Sequence, residues 1–131
     1  MGKLENIFLE GNFHLRTDGT IRRANLIACR DGFRMSVVTG EWLYCTPRRN
    51  TGPYTAVEVG FPSKRPEPWS VWSEYAESRA APTETVYPYV PVEEVRRLVE
   101  SHGGEVPDAV YWIIHRVADI RDWLSERFRK G

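Results

Sequence analysis

His14, Cys29, Cys45, His102 and His115 are the residues whose side chains can ligate a soft or borderline metal. Zinc sites usually place two ligands on one knuckle or one helical face, as CxxC or HxxxH, and no two of these five stand at such a spacing. The expectation is no metal. A nucleophilic reading needs Cys29, Cys45 or a serine beside a general base, with a donor pair for the developing oxyanion, and no motif brings such a set together. Cys45 lies close in sequence to Arg48 and Arg49, whose charge would lower a thiol pKa. The simpler expectation is that Cys45 packs beneath its own segment. Gly40, Gly52 and Gly60 are too dispersed for a phosphate-binding loop or a dinucleotide turn. Glu93 with Glu94 suits the start of a helix, and Asp119 with Asp122 suits a solvated helical face. The chain therefore reads as no enzyme, with no cofactor.

What remains is chemistry of recognition. Trp42, Tyr44, Arg48, Arg49 and Tyr54, continued by Lys64, Arg65, Trp69 and Trp72, form a basic and aromatic segment. Arg, Trp and Tyr anchor protein interfaces because they bury a large area and still make polar bonds. The same set can stack on unpaired bases, so single-stranded nucleic acid is the alternative partner. The competing structural reading is that some of these aromatics only cover the end of a sheet.

Charge decides between broad classes. Lys plus Arg and Asp plus Glu both number 18, so there is no net field to draw the chain onto a duplex or to mimic one. Arg outnumbers Lys 15 to 3, favouring planar contacts to carboxylate or phosphate, although a GC-rich coding sequence also favours Arg. A hydrophobic fraction of 41% and an aromatic fraction of 12% are enough for a real core. No apolar run approaches the roughly 20 residues that span a bilayer, and the first residues carry no signal-peptide pattern. A cytoplasmic protein with two reduced, buried thiols is expected.

The elements that must carry these residues follow from periodicity. One α+β domain is expected over 1–131, mainly β over 1–62. Short apolar runs begin at Asn6-Ile7-Phe8-Leu9. Asp18-Gly19 reads as a hairpin turn joining Phe13–Arg16 to Thr20–Arg23, and Asp31-Gly32 as a second, joining Asn25–Cys29 to Phe33–Val38. Phe33, Met35 and Val37 alternate with polar neighbours and predict a strand with one buried face. Tyr54–Phe61 predicts another strand. The connection from Thr39 to Pro53 is long enough to imply that it packs or functions. Residues 63–90 read as a proline- and aromatic-rich crossing, with a short helix from Ser70 and an edge-like strand over Glu84–Val90 that Pro88 interrupts.

The period then changes to about 3.6. Pro91 opens a helix with Val92, Val95, Leu98 and Val99 as its buried stripe, and Gly103-Gly104 ends it. Pro107 opens a second helix running to about Phe128. The expected class is α+β: an antiparallel sheet packed by two C-terminal helices over 91–131.

Three stretches carry a resemblance. Tyr44-Cys45-Thr46-Pro47-Arg48, Gly52-Pro53-Tyr54-Thr55 and Val57-Glu58-Val59-Gly60-Phe61-Pro62-Ser63, with Tyr87 and Tyr89-Val90-Pro91, resemble a group of small accessory proteins of phages and prophages. The resemblance covers about Phe33 to Gly104. It implies a role like that of anti-CRISPR proteins, which bind and block host immune complexes. The implied partner is a bacterial host protein or ribonucleoprotein complex, met in the host cytoplasm, with no membrane involved. No catalytic residue is implied.

Overall fold

The computed structural model describes residues 2–12, 25–113 and 116. Among them the chain forms α1 (Lys3–Glu10), β1 (Leu26–Cys29), β2 (Arg34–Val38), β3 (Ala56–Gly60), α2 (Trp69–Trp72), β4 (Val86–Pro91), α3 (Val92–Ser101) and β5 (Glu105–Val106). The strands make one five-stranded antiparallel sheet in the order β4-β3-β2-β1-β5. The class is α+β, as the change of period predicts.

The middle of the sheet follows directly from its turn and its alternation. The Asp31-Gly32 turn joins β1 to β2, with Ile27 opposite Met35 and Ala28 opposite Arg34. The Asp31 carboxylate accepts the Phe33 N–H at 2.9 Å, closing the turn locally. Ile27, Met35, Val37, Val57, Val59, Tyr87 and Val90 lie on one face by register and are all buried. Leu4, Ile7 and Phe8 of α1, Trp72 of α2, and Val95, Leu98 and Val99 of α3 complete the same core. The stripe expected on α3 is thus buried except for half-exposed Val92.

The expected β character of the N-terminal segment is corrected. Asn6–Leu9 lies within a helix, because Leu4, Ile7 and Phe8 recur at three- and four-residue steps and all three are buried. The helix is short, and its start is completed from far away. The Leu4 N–H donates to Glu105 Oε2 at 3.2 Å, so a β5 carboxylate caps α1 from 101 positions along the chain. A Cβ on Gly2 would lie 2.4 Å from Glu105 Oε1, so a larger residue there would make the Glu105 carboxylate shift. The expected hairpin from Phe13 to Arg23 lies outside the described residues.

β5 is an element that periodicity does not announce. Gly103 and Gly104, with φ of 89° and 90°, turn the chain out of α3, and β5 then pairs with β1. Residues 108–113 are helical, as Pro107 predicts. Tyr111 packs with Ala28, Val106 and Leu26 on the face opposite the main core. The course of this helix toward Phe128 lies outside the described residues.

β4 is an edge strand, and its Pro88 interruption is a bulge. Val57 pairs with Val90 and Val59 with Tyr87, so Pro88 and Tyr89 together oppose Glu58. Tyr89 has a φ of 52°. The bulge takes its N–H out of the ladder and donates it to Tyr44 O at 3.1 Å.

Candidate functional site

The connection between β2 and β3 has an interior of its own. Cys45 is fully buried, and its thiol donates to Gly40 O at 3.2 Å. Asn12 closes the base, donating from Nδ2 to Val37 O at 2.8 Å and accepting the Thr39 N–H at 3.1 Å. The Tyr54 N–H donates to Phe8 O at 2.7 Å, and its phenol donates to Arg49 O at 2.7 Å. Burial pushes the Tyr54 phenol up from its ordinary value. Gly52 lies so close to α1 that a Cβ there would stand 2.3 Å from Leu9 O. The connection is therefore clamped to the end of α1 and the rim of the sheet.

Out of this clamped base the aromatic side chains point to solvent. Trp42 is 80% exposed, Tyr44 41% and Tyr89 42%. The Tyr44 N–H donates to Glu58 Oε1 at 3.2 Å while its carbonyl accepts the Tyr89 N–H, so Tyr44 is fixed from both sides. The Tyr44 and Tyr89 rings are 5.8 Å apart at 55°. The Arg48 guanidinium lies 5.9 Å from the centre of the Tyr44 ring, and Arg49 is exposed beside it. Together they form an exposed aromatic and cationic patch at one end of the sheet.

The sequence-adjacent continuation of this segment does not join the patch. Ser63 hydrogen-bonds Arg34 in both directions, N–H to O at 2.8 Å and Arg34 N–H to Oγ at 2.9 Å. Lys64 and Arg65 are thereby held at the end of β2 opposite its exit into the connection, roughly 14 Å away at about 3.4 Å per residue. Lys64 is close enough to the β1–β2 turn to act on Asp31. Arg65 is paired with Glu67 at 2.7 Å and lies 5.6 Å from the Trp69 ring centre.

Two residues expected in the binding segment are core. Tyr54 is buried beneath the patch, and Trp72 is buried edge-on to Tyr87 at 5.6 Å. Trp69 is half-buried against the same tyrosine. Tyr89 and Glu58, which complete the patch, are the residues that sequence reasoning missed. The Pro88 interruption inside an otherwise regular strand is the one local signal that Tyr89 leaves the sheet.

The other reactive side chains are committed structurally. Burial pushes the Cys29 thiol up to about 12, and neither it nor Cys45 is bonded to another sulfur. His102 stacks on Phe33 at 4.0 Å, with Nδ1 2.6 Å from Asp31 Oδ2. His14 and His115 lie outside the described residues. No group of three or more His, Cys, Asp or Glu among the described residues can hold a metal ion.

A cleft of about 400 Å³ opens elsewhere, lined by Gly2, Lys3, Glu105, Val106, Pro107 and Asp108. The Lys3 ammonium bonds Asp108 at 2.7 Å and Leu26 O at 2.9 Å, while Glu105 caps α1. These polar groups hold the N-terminal helix to the far strand.

Comparison of the chain with protein-family models, curated proteins and solved structures returns no match. Among the described residues no helix is long and apolar enough to cross a membrane.

Proposed function

We propose that this chain is a non-enzymatic, phage-type inhibitor that binds a bacterial defence complex through the Trp42, Tyr44, Arg48 and Tyr89 patch and acts by steric occlusion. The observation that carries the binding surface is the exposure of three large aromatics, Trp42 and Tyr44 on a connection whose base is fixed by buried hydrogen bonds and Tyr89 on the adjoining β4 bulge. Such a surface loses little conformational entropy on binding, so more of its contact energy appears as affinity. Aromatics flanked by arginine are the usual anchors of protein interfaces. The defence-complex partner and host cytoplasm rest on the resemblance of Tyr44–Arg48, Gly52–Thr55 and Val57–Ser63 to phage accessory proteins.

A capture experiment tests this reading. The wild-type chain is expected to enrich a host protein or ribonucleoprotein complex from bacterial lysate, and a Trp42→Ala/Tyr44→Ala/Tyr89→Ala variant of unchanged melting temperature is expected to lose it. Equal recovery by both chains, or no enrichment, overturns the proposal.

Arg48 lying over Tyr44 beside Tyr89 is also a place for an unpaired base to stack, which supports single-stranded nucleic acid as a second reading. Glu58 beneath Tyr44 and exposed Glu41 nearby oppose a phosphate chain there. Binding to oligothymidylate that weakens steeply with salt would establish this reading in place of the first.

A further inference from the structure

The patch carries two adjacent exposed arginines that specify its partner more closely. Arg65, Arg79, Arg96 and Arg97 each find a carboxylate within the fold, while exposed Arg30, Arg34 and Lys64, which stand elsewhere, take part in no ion pair among the described residues. Arg48 and Arg49, adjacent and both exposed, take part in no ion pair among the described residues. The carboxylate built into the patch is engaged already, since Glu58 accepts the Tyr44 N–H from its half-buried position on β3.

Arg48 also has an aromatic neighbour. Its guanidinium carbon lies 5.9 Å from the centre of the Tyr44 ring, within reach of a cation–π contact, and a guanidinium can still meet a planar acceptor through its N–H groups. An Arg edge matches a carboxylate with two parallel hydrogen bonds. Trp42, 80% exposed on the same connection and six residues before that cation in the chain, offers apolar area to the same partner.

Resting on the protein-binding reading, we infer that the patch recognises an acidic segment of its partner, in which an Asp or Glu carboxylate meets Arg48 and Arg49 and an adjacent large apolar side chain covers Trp42. Carboxylate is favoured over a phosphate chain by the patch's own acids. A peptide can place one carboxylate at the arginines and turn uncharged groups toward Glu41 and Glu58. A nucleic acid brings a charge with every nucleotide.

The test uses the full chain, isotopically labelled, with the Trp42 indole N–H and the Tyr44 and Arg48 backbone amides followed by NMR. The probes are capped peptides of equal length with alternating Leu/Glu, Leu/Gln and Leu/Lys, and an oligothymidylate. The Leu/Glu peptide is expected to shift these signals, with affinity about tenfold weaker for Leu/Gln and for an Arg48→Gln/Arg49→Gln variant of unchanged melting temperature. Arg48→Lys/Arg49→Lys should keep the salt dependence while losing part of the affinity, because an ammonium cannot make the bidentate contact.

Equal shifts by Leu/Glu and Leu/Gln would overturn the acidic specificity while leaving the protein-binding reading in place. No shift by any peptide would overturn the acidic specificity as well, and the capture experiment would still decide the broader reading. Shifts by oligothymidylate in preference to Leu/Glu would overturn both.

Discussion

Two tryptophans define the difference between holding the fold and facing solvent. Trp72 is among the largest fully buried side chains, and Trp42 is the most exposed of the large apolar ones among the described residues. Trp72→Ala is expected to destabilise by about 3–5 kcal/mol in chemical denaturation, whereas Trp42→Ala should stay within about 0.5 kcal/mol of the wild type. Residue type alone does not separate them, because both stand in the same basic and aromatic segment. The alternation of Phe33, Met35 and Val37 was legible, since a strand's period fixes which side chains share a face. The start of α1 adds a pair of carboxylates shifted in opposite directions from their ordinary value. The hydrogen bond from Arg96 holds the Glu5 carboxyl below its ordinary 4.5, so its contribution is present above that value and is lost as pH falls through the lowered one. Burial pushes the Glu105 carboxyl above 4.5, with Asp108 adding to the rise and Lys3 and the Leu4 N–H opposing it. Between the ordinary and the raised value the native state binds more protons than the unfolded chain, so this group's contribution falls as pH rises. Glu105→Gln should therefore gain stability relative to the wild type from about pH 4 to about pH 7, as read by denaturation at both pH values.

At the scale of elements, the clamp between α1 and the β2–β3 connection has the least room for change. A Cβ at Gly52 would meet the backbone carbonyl of Leu9 at 2.3 Å, and neither side can step away without breaking the Tyr54 N–H to Phe8 O bond. Gly52→Ala is expected to cost about 1–3 kcal/mol in denaturant and to broaden the amide signals of the connection before those of the sheet. Elements set by local chemistry were legible: the Asp31-Gly32 turn, the Pro91 start of α3 and its Gly103-Gly104 stop. α1 was not, because eight residues carry little periodic signal and the carboxylate that caps the helix arrives from β5. β5, at two residues, is defined only by its pairing with β1. The separation of Lys64 and Arg65 from Arg48 and Arg49 was missed for a related reason: antiparallel pairing sends neighbours in sequence to opposite ends of the sheet.

Across the whole molecule, one core joins α1, the sheet, α2 and α3, and both thiols belong to it. Cys29, with its thiol pushed up to about 12, and buried Cys45 should resist an aromatic disulfide reagent until the fold opens. Labelling in increasing denaturant is expected to follow the unfolding transition seen by fluorescence. Labelling of Cys45 well before that transition would show that the β2–β3 connection opens independently. That connection also interleaves two kinds of position along one short stretch: Thr39, Gly40, Cys45 and Tyr54 face inward, and Trp42, Tyr44, Arg48 and Arg49 face outward. Mutational tolerance there should be two-valued. Saturation mutagenesis scored for solubility would reject most changes at the inward set and accept nearly all at the outward set. Scored for capture of a partner, it would reject both. The outward set can therefore change its chemistry from one sequence to the next without renegotiating how the chain folds.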